Sequence, residues 1–394
     1  MRKNLSKIKE VRLGLMSETE AENLVQENEC TTYMQHREYP LLAGPRMLLK
    51  VNTNIGVSDV SSFESELQKF RTINGLKYAP DTMMDHTYVQ TERPLWKYMV
   101  EEFKGPVGTL PHYSVFDKEK GIERSKLLET IDEMGEGGIA FMTLHPTAGI
   151  PLLEEAKKSR MIPTTSRGGA VVLKDAIINK RKENIFADYF DEILKLMKKH
   201  QMTVSIGTTF RPACIAEALD AVHRDEIRKQ KYFIDMAREN GVEVMMEGIG
   251  HISLGMIPRY CDLIREYKTP LMPLGPMVTD ATTGFDHVTA AVGAAVTALS
   301  GNVGIINSVT REEHTGKVPG TESIVEGLKS ARVVSHSINV SRFQKYREID
   351  NAVSRNRAES RSCAKTGGIF ETNVEEDGQS GCSRCRYECP LAML

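Results

Sequence analysis

From about residue 80 onward the chain alternates between two periods, and this alternation constrains the fold more than any other feature. Short apolar or β-rich runs fall at 82–85, 107–110, 139–144, 161–165, 203–207, 242–246, 271–274 and 303–307. Longer segments of helical period separate them, at 94–103, 124–134, 152–159, 170–200, 216–240, 256–267, 286–300 and 322–338. The 170–200 stretch reads as two helices, one of them an insertion. Eight strands each followed by a helix is the (β/α)8 count, and a span of roughly 255 residues suits one barrel. An open doubly wound sheet would carry a Gly-rich turn after its first strand; here that turn is Asp85-His86-Thr87. The expected fold is α/β: a (β/α)8 TIM barrel over 76–338. A short N-terminal subdomain over 1–75 precedes it, and a C-terminal helical segment with a mobile arm over 339–394 follows.

Composition removes several function classes. A net charge of −2, with scattered lysines and arginines, argues against a nucleic-acid footprint or an anionic membrane partner. No apolar run approaches the ~20 residues that span a bilayer. The basic start, Met1 to Lys7, has no apolar run behind it, so no secretory signal is expected. Seven cysteines, clustered towards one end, do not resemble a disulfide framework. A reducing, cytoplasmic setting is expected.

The cysteine cluster is Cys382, Cys385 and Cys389, spaced C-x2-C-x3-C behind a Gly/Ser/Asp-rich linker. Three thiolates can hold three corners of a 4Fe-4S cluster and leave the fourth iron open. The amino and carboxyl groups of S-adenosyl-L-methionine suit that opening, and an electron passed to the sulfonium would release a deoxyadenosyl radical. A structural zinc knot completed by a distant fourth ligand is the alternative that the triplet alone leaves open.

Catalytic groups of such barrels sit just past the strand C-termini, and those positions are densely functional here. Ser166-Arg167-Gly168-Gly169 suits a phosphate at a helix N-terminus. Arg211 would add a second positive charge, with Tyr113 and His145 in reach of the same anion. His251 and His314 could hold a divalent metal, zinc foremost, although each alone is more often a hydrogen-bonded histidine. Glu247 could bind a substrate amine or act as a base, or serve as an ion-pair partner. Asp280, Asp286 and His287 are read as caps of the seventh helix.

Several motifs then follow in one order: Asn52-Thr53-Asn54-Ile55-Gly56, Ser166-Arg167-Gly168-Gly169, Phe210-Arg211-Pro212, Glu247-Gly248-Ile249-Gly250-His251, Leu274-Gly275-Pro276-Met277-Val278-Thr279-Asp280 and Glu313-His314. From about residue 45 to the end the chain resembles the thiamin pyrimidine synthase family, the phosphomethylpyrimidine synthases. The resemblance implies a radical S-adenosylmethionine enzyme with a (β/α)8 barrel, a homodimer and 5-aminoimidazole ribonucleotide as substrate. It also implies a one-electron reductant such as flavodoxin or ferredoxin. Carried over, substrate contacts fall on Asn54, Met84, Tyr113, His145, Ser166, Arg167, Gly168, Arg211 and the catalytic Glu247. Metal ligands fall on His251 and His314, and cluster ligands on Cys382, Cys385 and Cys389.

The departures carry information too. A carboxylate usual in the family after the fifth strand is Thr208, a tyrosine before Leu-Gly-Pro is Met272, and Ile249 replaces a proline. The cysteine spacing is one residue shorter than the family's. Anchors for the ribonucleotide stay while two polar groups leave the pocket, so Thr208 and Met272 join the expected substrate wall. Same substrate and different product is the expectation. It matches the family's 5-hydroxybenzimidazole-forming branch, which makes a lower-ligand base of cobamides. The thiamin pyrimidine is the alternative within the family. Outside it stand a zinc hydrolase with a structural zinc tail and a non-catalytic binding barrel.

Overall fold

The computed structural model describes residues 3–26, 30–361, 363, 368–370, 385, 388 and 390–393. Ten strands are present among them. A small antiparallel pair, β1 (Thr32–Met34) and β2 (Leu41–Ala43), lies outside the main sheet. The main sheet comprises β3 (Lys50–Ile55), β4 (Thr82–Asp85), β5 (Val107–Thr109), β6 (Phe141–Leu144), β7 (Thr203–Ile206), β8 (Val244–His251), β9 (Leu271–Met277) and β10 (Ile305–Asn307). Its order is β10-β3-β4-β5-β6-β7-β8-β9, parallel throughout. A parallel bridge between Leu271 and Val303 brings β9 to the segment leading into β10. The Leu271 N–H donates to the Asn302 carbonyl at 2.8 Å, and the Gly304 N–H to the Leu271 carbonyl at 3.1 Å. The sheet therefore closes into the expected eight-stranded α/β barrel.

The expected count of eight strands holds, but its membership changes at two places. Residues 161–165 form no strand. Met161 is 73% exposed and Ile162 44% exposed, so this apolar run has no layer to pack against. Thr164 Oγ1 instead donates to the Thr209 carbonyl at 2.6 Å, drawing the segment across the β7 end as a loop. The missing strand is β3, which lies between β10 and β4. The barrel thus begins at Lys50 and not near residue 76.

β3 reads as polar because of where its side chains point. Val51 and Ile55 join the layer beneath the helices. Asn52, on the opposite face, donates to Asn307 Oδ1 at 2.6 Å and to Asn54 Oδ1 at 2.7 Å, and accepts from Thr82 Oγ1 at 2.9 Å. Lys50 is buried against Glu10, from the segment that precedes the barrel. Asn52 and Lys50 each find partners, which removes the penalty that would otherwise exclude them.

Two apolar shells hold the rest. Met84, Leu110, Tyr113, Phe141, Met245, Met272 and Ile305 pack together inside the barrel. A larger layer between strands and helices includes Phe70, Trp96, Phe186, Phe190, Phe210 and Tyr260. Burying each such side chain contributes about 1.5–3 kcal/mol before entropy is counted. The 167–199 region is three helices, Arg167–Ile178, Ile185–Asp188 and Phe190–Lys199. The short middle one exists because Asn184 caps it, accepting from the Phe186 and Ala187 amides. Helix Thr321–Arg342 lies where the helix after the eighth run was expected, and helix Gln344–Ser360 follows it. Among the described residues no helix is long and apolar enough to cross a membrane.

Candidate active site

At the C-terminal ends of the strands lies a cavity of about 530 Å³. Asn54 and Met84 line it from β3 and β4, Tyr113 and His145 from beyond β5 and β6. Ser166, Arg167 and Gly168 line it from a helix start, and Arg211, Glu247, His251 and His314 from the remaining side. The structure therefore brings eleven sequence-selected residues to one site. Thr208 and Met272 are the exceptions. Both are about 1% exposed and neither lines the cavity: Met272 joins the apolar lumen cluster, and the Thr208 hydroxyl has no hydrogen-bond partner. Their expected places on the substrate wall are corrected accordingly.

One end of the cavity is built for an anion. Ser166 caps helix Arg167–Ile178, its Oγ accepting from the Gly169 N–H at 3.1 Å. This segment begins a helix; it does not end a strand. Its glycines permit close docking: a Cβ on Gly168 would lie 2.4 Å from His145 Nε2, and one on Gly169 2.5 Å from Thr209 Cγ2. Arg167 lies over the Tyr88 and Tyr113 rings, 5.3 and 6.0 Å from their centroids. Arg211 Nη1 donates only to the Thr208 carbonyl, at 3.1 Å. Among the described residues neither guanidinium has a carboxylate partner. Two unpaired cations beside a capped helix N-terminus make a site for phosphate or carboxylate.

Two neighbouring groups stay neutral, His145 and Tyr113. Burial, then the His112 and Arg211 charges, hold the His145 imidazole well below its usual pKa. Burial pushes the Tyr113 phenol up to about 12, so it remains a donor. Burial also raises Glu247, with the Thr143 hydrogen bond and Arg211 working against it. Glu247 Oε1 accepts from Thr143 Oγ1 at 2.7 Å, which fixes the carboxyl on the inner wall of β8.

The other end holds the histidine pair. A register irregularity between Ile249 and His251, with Ile249 at φ +75° and Gly250 at φ +96°, turns the end of β8. An isoleucine rarely adopts that conformation, and a Cβ on Gly250 would meet the Pro212 carbonyl at 2.5 Å. His251 Nε2 faces His314 Nε2 at 3.2 Å. Asp280 Oδ1 lies 2.6 Å from His251 Nδ1, and Asp286 Oδ1 lies 2.9 Å from His314 Nδ1.

Asp280 and Asp286 are therefore orienting carboxylates, not helix caps. Helix Asp286–Ser300 starts without any side-chain cap bond, and His287 Nδ1 is buried without a partner. A tautomer with Nδ1–H directed at the carboxylate on each ring leaves both Nε2 lone pairs for a cation. Two nitrogens bound to one tetrahedral zinc lie about 3.3 Å apart for bonds of about 2.0–2.1 Å. The donor set and its carboxylate support thus fit a divalent cation. Among the described residues no third His, Cys, Asp or Glu joins the pair.

Sequence reasoning missed the roles of Asp280 and Asp286, because a carboxylate just before a helix looks like a cap. The expected cluster ligands Cys382 and Cys389 lie outside the described residues, and Cys385 is exposed.

Comparison with known proteins decides the family. The model described as the radical SAM ThiC family matches residues 17–394. The chain belongs to this family. The phosphomethylpyrimidine synthase of Caldanaerobacter subterraneus subsp. tengcongensis is 32% identical over 80% of the chain and 74% of its own length. That of Methanopyrus kandleri is 31% identical over 79% and 74%. Yersinia pestis dihydropteroate synthase superposes with a TM-score of 0.44 at 10% identity, over 78% of this chain and 98% of its own, too slight a likeness to carry any argument. Membership of the radical SAM ThiC family implies S-adenosylmethionine and a 4Fe-4S cluster as cofactors.

Proposed function

We propose that this radical SAM enzyme acts on 5-aminoimidazole ribonucleotide and converts it to 5-hydroxybenzimidazole. The observation that carries the substrate is the pair of unpaired guanidinia, Arg167 and Arg211, beside the Ser166-capped helix. They would anchor the ribonucleotide phosphate, with the Gly168 amide and the Tyr113 phenol as donors. Glu247 would meet the amino-imidazole from the inner wall, where burial makes it a stronger proton acceptor than an ordinary carboxylate. His251 and His314 would hold a zinc or similar divalent ion. Cys382, Cys385 and Cys389 would hold the cluster, which when bound supplies the electron that cleaves S-adenosylmethionine. A flavodoxin or ferredoxin as electron source and a second copy of the chain complete this reading.

The benzimidazole product rests on Thr208 and Met272. Where the resembling family has a carboxylate and a phenol, this chain offers the cavity neither group, since both residues are buried away from it. A second reading, formation of the thiamin pyrimidine, is favoured by the names of the two relatives. Anaerobic turnover with the ribonucleotide, S-adenosylmethionine and a reductant separates the two by product analysis. 5-Hydroxybenzimidazole supports the first reading, and hydroxymethylpyrimidine phosphate replaces it with the second.

A further inference from the structure

Helix Ala221–Glu239 packs behind β7 and β8 and turns a polar edge inward. Glu226 is fully buried on that edge and accepts three hydrogen bonds. Oε1 takes the Thr209 N–H at 2.6 Å and the Thr147 Oγ1–H at 2.7 Å, and Oε2 takes the Phe210 N–H at 2.8 Å. One helical turn later, Gln230 Nε2 donates to the Ile206 and Glu247 carbonyls, at 3.0 and 2.8 Å. From outside, Arg160 Nη1 donates to the Phe210 carbonyl at 2.7 Å while its other nitrogens grip Asp220, both at 2.8 Å. The loop that leaves β7 is thus held by main-chain bonds on either side of Phe210.

That loop ends in Arg211, whose guanidinium has no carboxylate partner among the described residues to position it. Its own side-chain bond goes back to the Thr208 carbonyl of the same loop. Wherever the loop sits, Arg211 sits. Thr147 belongs to the loop that follows His145 after β6, so the same carboxylate ties together the two loops that flank the anion end. A buried carboxylate is costly unless every lone pair in use meets a donor, and here three donors converge on it.

The geometry points to Glu226 as the positioning residue for the anion site. By holding the Thr209 and Phe210 amides, it places the Arg211 guanidinium where the ligand phosphate binds. It touches neither substrate nor cofactor and acts through Arg211. This inference rests on the ribonucleotide reading above.

The discriminating experiment is a double-mutant cycle on binding, with 5-aminoimidazole ribonucleotide titrated calorimetrically into the reconstituted full chain. Glu226→Gln keeps the side chain's size but presents an amide donor to one of the donors it now accepts from. It should weaken ribonucleotide binding by about tenfold or more, as expected when a buried charge-assisted bond is lost. Once Arg211→Ala has removed the guanidinium, adding Glu226→Gln should cost almost nothing more, because coupled residues are not additive. Equal losses with and without the Arg211 guanidinium would mean that Glu226 merely supports the fold, and no loss from Glu226→Gln in the otherwise wild-type chain would remove it from the site; either overturns the inference. If Glu226→Gln does not fold, Glu226→Asp, which withdraws the carboxylate by one methylene, takes its place in the same cycle. Wild-type protein that fails to bind the ribonucleotide overturns the substrate reading itself, whereas normal wild-type binding with an additive cycle overturns only the role of Glu226.

Discussion

The two ends of the barrel treat charge in opposite ways. At the floor, buried carboxylates meet cations. Lys50 meets Glu10, and Asp81 accepts from Arg332 at 2.5 Å, Lys9 at 3.0 Å and the Val51 amide at 3.0 Å. Burial alone would raise the Asp81 carboxyl, but Arg332, then Lys9 and that amide, hold it well below the usual range. At the mouth, Arg167 and Arg211 face a cavity with no carboxylate partner among the described residues, and the Nε2 atoms of His251 and His314 face each other at 3.2 Å. Charges satisfied internally are there for stability; charges left unsatisfied in a cavity are waiting for a ligand.

The largest effect expected at either end is functional. Cys385→Ala should remove the brown colour of anaerobically reconstituted protein and bring turnover to background, with iron per chain and product both measured. Full activity in the variant would return the tail to a structural role.

The next pair sets mouth against floor directly. Arg211→Ala should weaken ribonucleotide binding by about 2–5 kcal/mol, as for a buried charge-assisted contact, with little change in unfolding free energy. Arg332→Ala should do the reverse. Leaving Asp81 under-compensated should cost about 3–5 kcal/mol of stability, while KM for the folded fraction stays near wild type. Urea melts and binding titrations on both variants decide it, and a shared phenotype would dissolve the distinction between the two ends.

A smaller effect belongs to the carboxylates behind the metal pair. Asp280→Asn should lower divalent-metal affinity by about 10–100-fold, the usual cost of losing such an orienting group, as measured by chelator competition. The stability of helix Asp286–Ser300 should barely change, since Asp280 caps none of its residues.

The smallest signal is the pH dependence of the floor. Asp81 has a depressed folded pKa, so its contribution to stability is complete above the ordinary aspartate value of about 3.9. It drains away as pH falls from there towards the folded value, because the unfolded chain takes up the proton first. Urea melts between neutral and acid pH should show this loss, and Arg332→Ala should flatten it.

Much of this contrast is legible in the chain itself, but unevenly. Ser166, Arg167, Arg211, His251 and His314 can be picked out because such groups at strand ends have few other uses. The orienting role of Asp280 and Asp286 cannot. Each lies 28 or 29 residues from its histidine, and only loop conformation brings them together. Thr208 shows the converse error. Its position in the Gly207-to-Pro212 motif puts it next to the site in sequence, yet it is buried and does not line the cavity.

The alternation of eight apolar runs with helical segments, and the lack of a Gly-rich turn after the first of them, by themselves pointed to an eight-stranded α/β barrel over an open doubly wound sheet. The tail cysteines and the ordered motifs determined the kind of chemistry. Tertiary structure alone decided which eight runs are strands. The run at 161–165 is apolar, but nothing covers Met161 and Ile162, so it stays a loop. Lys50-Val51-Asn52 is half polar, but Glu10 and Asn307 lie across from its polar residues, so it becomes β3. Burial is a property of what arrives from elsewhere in the chain, and a short segment carries no record of its future neighbours.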